Sequence, residues 1–342
     1  MSNKRNGKQT VKLQNPPSIA AAASIVGPKE GQGPLRKFFD NIIDDEMWGE
    51  KSWEKAESKL MRETFSKLVT KSGKLMNDID YIIAGDLLNQ CIAANYGLRE
   101  SNIPFFGIYG ACSTMAESIS LGSMLIDGGF ADNIACMTSS HFCSAEKQFR
   151  FPLELGGQRP PTAQWTVTGS GGVLLTSQGT GPFITCVTTG KIVDMGIKDA
   201  NNMGAAMAPA AVDTILAHFQ DTGLEPQFYD LIITGDLGMV GRCICEGLLK
   251  ENGFDISGRY NDCGLMIYDR EKQDAHAGGS GCGCSATVFA GFIYNEITKG
   301  NLNNVLFVAT GALMSPTSTQ QGESIPSVAH AVSIQRSAGN MQ

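Results

Sequence analysis

An octapeptide that occurs twice constrains this chain more than any other feature. Asp80-Tyr-Ile-Ile-Ala-Gly-Asp-Leu87 returns as Asp230-Leu-Ile-Ile-Thr-Gly-Asp-Leu237, with six of eight positions unchanged. Each copy reads as a short buried strand ending in Gly-Asp, and a helix-like stretch follows each, Cys91 to Arg99 and Arg242 to Glu251. A second pair of blocks follows in the same order. Gly110-Ala-Cys-Ser-Thr114 opens a helical segment running to Asp127, and Cys282-Gly-Cys-Ser-Ala286 opens one running to Lys299. Each leads through a glycine turn into an apolar strand, Asn133 to Thr138 or Asn304 to Ala309. One matched octapeptide is within reach of chance. Two matched blocks in one order indicate duplication.

Alternating strands and helices imply an α/β class with parallel pairing. Met115, Ala116, Ile119, Leu121 and Met124 make the first central helix apolar on nearly all sides, as Ala286, Val288, Phe289, Ala290 and Ile293 do the second. Such helices belong inside, between two sheets. The expected architecture is therefore layered αβαβα, with an N-terminal half over 1–178 and a C-terminal half over 179–342. The halves divide near Gln178-Gly-Thr-Gly181, and Ala329 to Ile334 forms a last strand. The first 15 or so residues are expected to be loosely attached. Residues 29–55 read as an excursion before a helix around Glu54 to Lys71.

With 342 residues the chain can bury a large core. Its net charge of −7, without basic patches interleaved with aromatics, argues against nucleic acid. Most of the ten cysteines sit in apolar segments. The polar start lacks a secretory apolar stretch, so reduced thiols are expected. Cys243-Ile-Cys245 and Cys282-Gly-Cys284 have the wrong spacing for structural zinc, so no metal is expected. No apolar run approaches the ~20 residues that span a bilayer. Membrane association would then come through partners or surface contact.

Cys112 is the sharpest chemical signal. It follows a Tyr109-Gly-Ala turn at the start of a buried helix, where amide groups and the helix dipole favour a thiolate or hold an anion. The plain alternative is a small buried hydrophobe. His276, in Ala275-His-Ala-Gly-Gly-Ser-Gly281, precedes the second central helix. A spatial two-fold would bring it toward Cys112, to activate the thiol or to bind an anion. His141 follows the strand ending at Thr138, where α/β sheets place ligands. His330 is a weaker candidate, and His218 reads as a surface residue. Lys147, Arg150 and Arg159 are cations suited to an acid or equally to solvent. Asn201 to Pro209, with Met203 and Met207, reads as a loop entering a helix. Gly169-Ser-Gly-Gly172 runs into a strand and is no dinucleotide fingerprint.

The duplicated halves, Gly110-Ala-Cys-Ser113, Trp165-Thr-Val-Thr-Gly-Ser-Gly-Gly-Val-Leu-Leu175 and His276-Ala-Gly-Gly-Ser-Gly281 together resemble the thiolase and ketoacyl-synthase superfamily over about residues 17–336. Ser170 stands where that superfamily has an aspartate in its Gly-Asp-Gly strand. Val308 to Pro316 lacks the second reactive cysteine, so two-cysteine thiolysis is not expected, and no basic, aromatic-lined loop for coenzyme A is evident.

Gly107 to Glu117, Ser139 to Pro152, Arg159 to Trp165 and Asp274 to Cys284 are similar to the stage V sporulation protein AD family of spore-forming bacteria. That resemblance implies binding of dipicolinic acid (pyridine-2,6-dicarboxylic acid), alone or as its calcium complex, during its uptake into the developing spore. It implies membrane-embedded stage V partners at the spore inner membrane, on the forespore side, and leaves a homodimer open. No cofactor is implied. The residues expected to contact the ligand are Cys112, Ser113, His276, His141, Gly279 and Thr310. The alternative is an acyltransferase with Cys112 as nucleophile and His276 beside it.

Overall fold

The computed structural model describes residues 4–149 and 159–337. Ten strands carry the fold: β1 (Ser18–Val26), β2 (Tyr81–Gly85), β3 (Phe105–Gly107), β4 (Asn133–Ser140) and β5 (Gly169–Thr176), then β6 (Phe183–Thr189), β7 (Leu231–Thr234), β8 (Tyr260–Asp262), β9 (Asn304–Ala312) and β10 (Ser327–Gln335). The first five run in the order β1-β5-β4-β2-β3 and the second five in the same order, β6-β10-β9-β7-β8. The two sets meet through a single pair, Phe183 opposite Ser18. The repeated octapeptide supplies β2 and β7, which hold the same place in each set.

Pairing is mixed. β2 is parallel to β3 and β4, while β5 is antiparallel to β4 and β1. The second set repeats this, with β7 parallel to β8 and β9 and with β10 antiparallel to β9 and β6. Crossover helices dictate parallel pairing only where the chain returns to the opposite end of the sheet. The expectation of parallel pairing therefore fits the outer three strands of each set and fails for the inner two.

Between the two sets lie α3 (Thr114–Asp127) and a continuous helical run made of α8 (Cys282–Val288), a π turn (Phe289–Ile293) and α9 (Tyr294–Lys299). α3 packs against β4 and β2 on one side and β9 and β10 on the other. Met115, Ala116, Ile119, Val288 and Phe289 are fully buried, each large side chain contributing ~1.5–3 kcal/mol. α1 (Trp53–Ser72) and α2 (Ile92–Leu98) cover the first set outside, and α5 (Met203–Thr222) and α6 (Gly238–Glu251) cover the second. Gly171 shows how tightly the layers are pressed. A Cβ there would stand 2.4 Å from the Ala286 carbonyl of α8, so only glycine lets helix and strand backbones meet.

Three expectations change. The N-terminal segment is tied down from residue 4 on: Thr10–Lys12 pairs with β6, and the Asp221 carboxylate accepts the amides of Lys8, Gln9 and Thr10 at 3.3, 3.1 and 3.0 Å. His218 is not at the surface. It is fully buried between the Thr188 hydroxyl (2.9 Å) and the Tyr229 hydroxyl (2.6 Å), because its face of α5 packs on the sheet. Gly169 to Gly172 is already strand, whereas Asn201 to Pro209 does pass from loop into helix, at Met203.

Candidate functional site

Cys112 sits in a single 3-10 turn, Ala111–Ser113, that leads into α3. Ala111 holds φ at +50°, a left-handed conformation that costs an alanine roughly 1–2 kcal/mol. The turn is held against the end of β9: a Cβ on Gly311 would lie 2.2 Å from the Gly110 carbonyl. The two halves thus meet backbone to backbone at the cysteine.

Beneath Cys112 lies Asp236, fully buried just beyond β7. Its carboxylate accepts the Thr310 hydroxyl at 2.7 Å, the Gly281 amide at 2.9 Å and the Ser280 hydroxyl at 3.3 Å, and its charge acts on the neighbouring Cys112 thiol. Burial pushes Asp236 up to about 6 in spite of these donors. Cys112 is pushed well above the ordinary thiol value, first by burial and then by the charge of Asp236 and by Cys282. The expectation of a helix-stabilised thiolate is therefore corrected. A dipole worth about half a charge at its N-terminus is outweighed by a full carboxylate in contact and by loss of water.

Over Cys112 opens a narrow cleft of about 40 Å³, room for no more than a few water molecules. Its walls are apolar, with Leu87, Ala145, Phe149 and Met314, and its polar members include Thr166, Ser280 and Glu146. Thr166 and Ser280 are paired across two short parallel strands, Trp165–Thr166 and Gly279–Ser280. Glu146 is met by Arg159 at 3.8 Å. That guanidinium lies over the Trp165 ring, itself stacked on Phe142 at 3.9 Å.

A family model for stage V sporulation protein AD matches residues 7–335. The curated stage V sporulation protein AD of Bacillus subtilis (strain 168) is 47% identical over 336 residues, covering 98% of this chain and 99% of that one. The chain belongs to the stage V sporulation protein AD family. Among solved structures it is similar to human mitochondrial 3-ketoacyl-CoA thiolase in complex with CoA (13% identity, TM-score 0.57, 96% of this chain and 99% of that one). It is similar also to 3-oxoacyl-[acyl-carrier-protein] synthase III from Aquifex aeolicus VF5 (12% identity, TM-score 0.54, 93% and 99%). These likenesses establish a thiolase-like fold.

Of the six residues expected in this family member's site, Cys112 alone lines the cleft. Thr310 acts from behind, through Asp236. The Gly279 carbonyl accepts the Gln164 amide at 2.9 Å and so fixes the strand that presents Ser280. Ser113 turns its hydroxyl back to the Gly110 carbonyl at 2.7 Å. His276 is not brought to the cysteine. It pairs with the exposed Asp274 at 3.2 Å, because both residues hold left-handed backbone in the loop before Gly278. His141 is buried and committed: its Nδ1 accepts the Cys143 amide at 3.2 Å and its Nε2 donates to the Glu46 carbonyl at 2.8 Å. Burial lowers its pKa, which keeps it neutral. Lys147 is held by Glu54 at 2.7 Å, and Arg150 lies outside the described residues.

Asp236, Thr166, Ser280 and Glu146 were not among the expected site residues. For Asp236 the signal was present, since Gly-Asp closes both copies of the octapeptide. Among the described residues no group of three or more His, Cys, Asp or Glu side chains is placed to hold a metal ion.

Proposed function

We propose that this member of the sporulation family binds dipicolinic acid in the cleft over Cys112, in support of its uptake into the developing spore. The observation that carries this reading is the partner of Cys112. A buried thiol kept protonated beside a carboxylate is a poor nucleophile, and among the described residues no histidine lines the cleft to accept its proton. What the cleft offers is shape and polarity. The ring would enter between Leu87, Phe149 and Met314 as these apolar walls move apart, with the Thr166 hydroxyl to meet a carboxylate.

The local charge favours one form of the ligand. Glu146 in the wall and Asp236 beneath it disfavour a bare dianion, whereas a calcium–dipicolinate complex brings its own compensating charge, with Glu146 as a further oxygen ligand. Among the described residues no helix is long and apolar enough to cross a membrane. We place the chain, within the same proposal, beside membrane-embedded stage V partners on the forespore side of the inner membrane.

Calorimetric titration with dipicolinate, with and without calcium, tests the reading. One saturable site per chain, tighter with calcium, is expected. Absence of heat in both titrations would sink it.

A further inference from the structure

Among the described residues the only charged side chain in the wall of the cleft over Cys112 is that of Glu146. A dicarboxylate entering there needs a cation, and one stands against that carboxylate: Arg159 Nη1 lies 3.8 Å from Glu146 Oε1. The two side chains are 22% and 8% exposed, so water and salt screen the pair little.

The guanidinium is fixed in place from the other side. Phe142 and Glu146 lie one helical turn apart on α4 (Phe142–Phe149) and so share a face. The Phe142 ring stacks on Trp165 with centres 3.9 Å apart and planes 6° apart. Arg159 lies 4.8 Å from the Trp165 ring centre and 5.6 Å from that of Phe142, and its Nη2 donates to the Gln164 carbonyl. Rings and carbonyl set the plane of the guanidinium while Nη1 faces Glu146. An approach of 3.8 Å is longer than the ~2.7–2.9 Å of a charge-assisted hydrogen bond, whereas a planar carboxylate can bind a guanidinium through two such bonds.

We propose that Arg159 receives one carboxylate of the ligand in exchange for Glu146. This rests on dipicolinate binding in the cleft and adds the residue that selects for a second carboxylate. A monocarboxylate can meet either the Thr166 hydroxyl or Arg159, and only a dicarboxylate meets both. Without calcium, Glu146 keeps its charge near the incoming dianion and competes for the guanidinium. With calcium, the ion draws Glu146 to itself, so that loading of the ion and release of Arg159 are one movement.

The test compares dipicolinate with picolinate, which has the same ring and one carboxylate, by calorimetry on the full chain. The unaltered chain should favour dipicolinate by about tenfold or more. In Arg159→Gln that preference should collapse to within about twofold. A side chain that merely supports the wall would weaken both ligands alike and leave the ratio as it was. Glu146→Gln should tighten dipicolinate in the absence of calcium and lose the gain that calcium gives. Should circular dichroism show Arg159→Gln unfolded, Arg159→Lys carries the same comparison, with a reduced ratio expected. An unchanged ratio in the Arg159 variant, or weaker calcium-free binding in Glu146→Gln, would overturn the proposal and leave the cleft as the binding site. No binding of dipicolinate by the unaltered chain would overturn it together with the reading on which it rests.

Discussion

The buried Asp236 carboxylate neighbours the buried Cys112 thiol, so the residue that most resembles a nucleophile sits beside a negative charge. The proton stays on sulfur. Iodoacetamide at neutral pH should therefore modify the exposed Cys243 well before Cys112, as read by peptide mass mapping. Asp236→Asn removes the opposing charge and should speed Cys112 alkylation. Reaction of Cys112 as fast as Cys243 in the unaltered chain would contradict this picture, as would an acyl adduct on Cys112 after incubation with acyl-coenzyme A.

Asp236 is also a structural acceptor. Asp236→Ala leaves the Thr310 hydroxyl and the Gly281 amide buried without their partner. Each stranded donor costs roughly 1–3 kcal/mol, so a loss of about 3 kcal/mol is expected from urea denaturation. A change under about 0.5 kcal/mol, the range of surface substitutions, would mean that water replaces the carboxylate.

Stability should fall as pH rises from acid to mildly alkaline. Burial raises Glu57 to about 8, Glu30 to about 7 and Asp262 to about 7. A carboxyl whose folded pKa is raised binds more protons folded than unfolded. Its contribution is full below the ordinary carboxylate range and is lost as pH climbs through the folded value. The melting temperature should therefore decline between about pH 5 and pH 8. Glu57→Gln, which keeps one acceptor oxygen and turns an NH2 donor to the other serine of Ser139 and Ser144, should flatten part of that decline. An unchanged slope in this variant would remove Glu57 from the account.

Gly311→Ala puts a methyl 2.2 Å from the Gly110 carbonyl, where backbone faces backbone and neither side can yield cheaply. A destabilisation of about 1–3 kcal/mol is expected, with the turn carrying Cys112 displaced. Gly129→Ala is a useful comparison, since its Cβ meets nothing within 4 Å and only its φ of +76° is strained. It should cost about 1 kcal/mol, near the left-handed backbone penalty alone. Equal losses at the two sites, measured by chemical denaturation, would refute the close approach of the halves.

Much of this was legible in the residues. The octapeptide repeat located β2 and β7, and the all-round apolarity of Met115 to Met124 placed α3 inside. The mixed pairing was not legible, because nothing local in Gly169–Thr176 says whether the chain has crossed over or turned back. Thr10–Lys12 is short and polar enough to read as a tail, and its order comes from a partner more than 200 residues away, Asp221. Residue type misled at the site. His276 and His141 carry the chemistry one looks for, yet backbone geometry commits one to Asp274 and the other to Glu46. Asp236 passed for a strand-end residue because its role depends on contacts from three separate segments.

Dipicolinate calorimetry on the unaltered chain beside Ala145→Trp is decisive, since that change fills the cleft from α4 (Phe142–Phe149) and leaves Cys112 and Asp236 in place. A single saturable site is expected in the first protein and its loss in the second, with both proteins folded. Identical binding by the two, or none by the first, would contradict it.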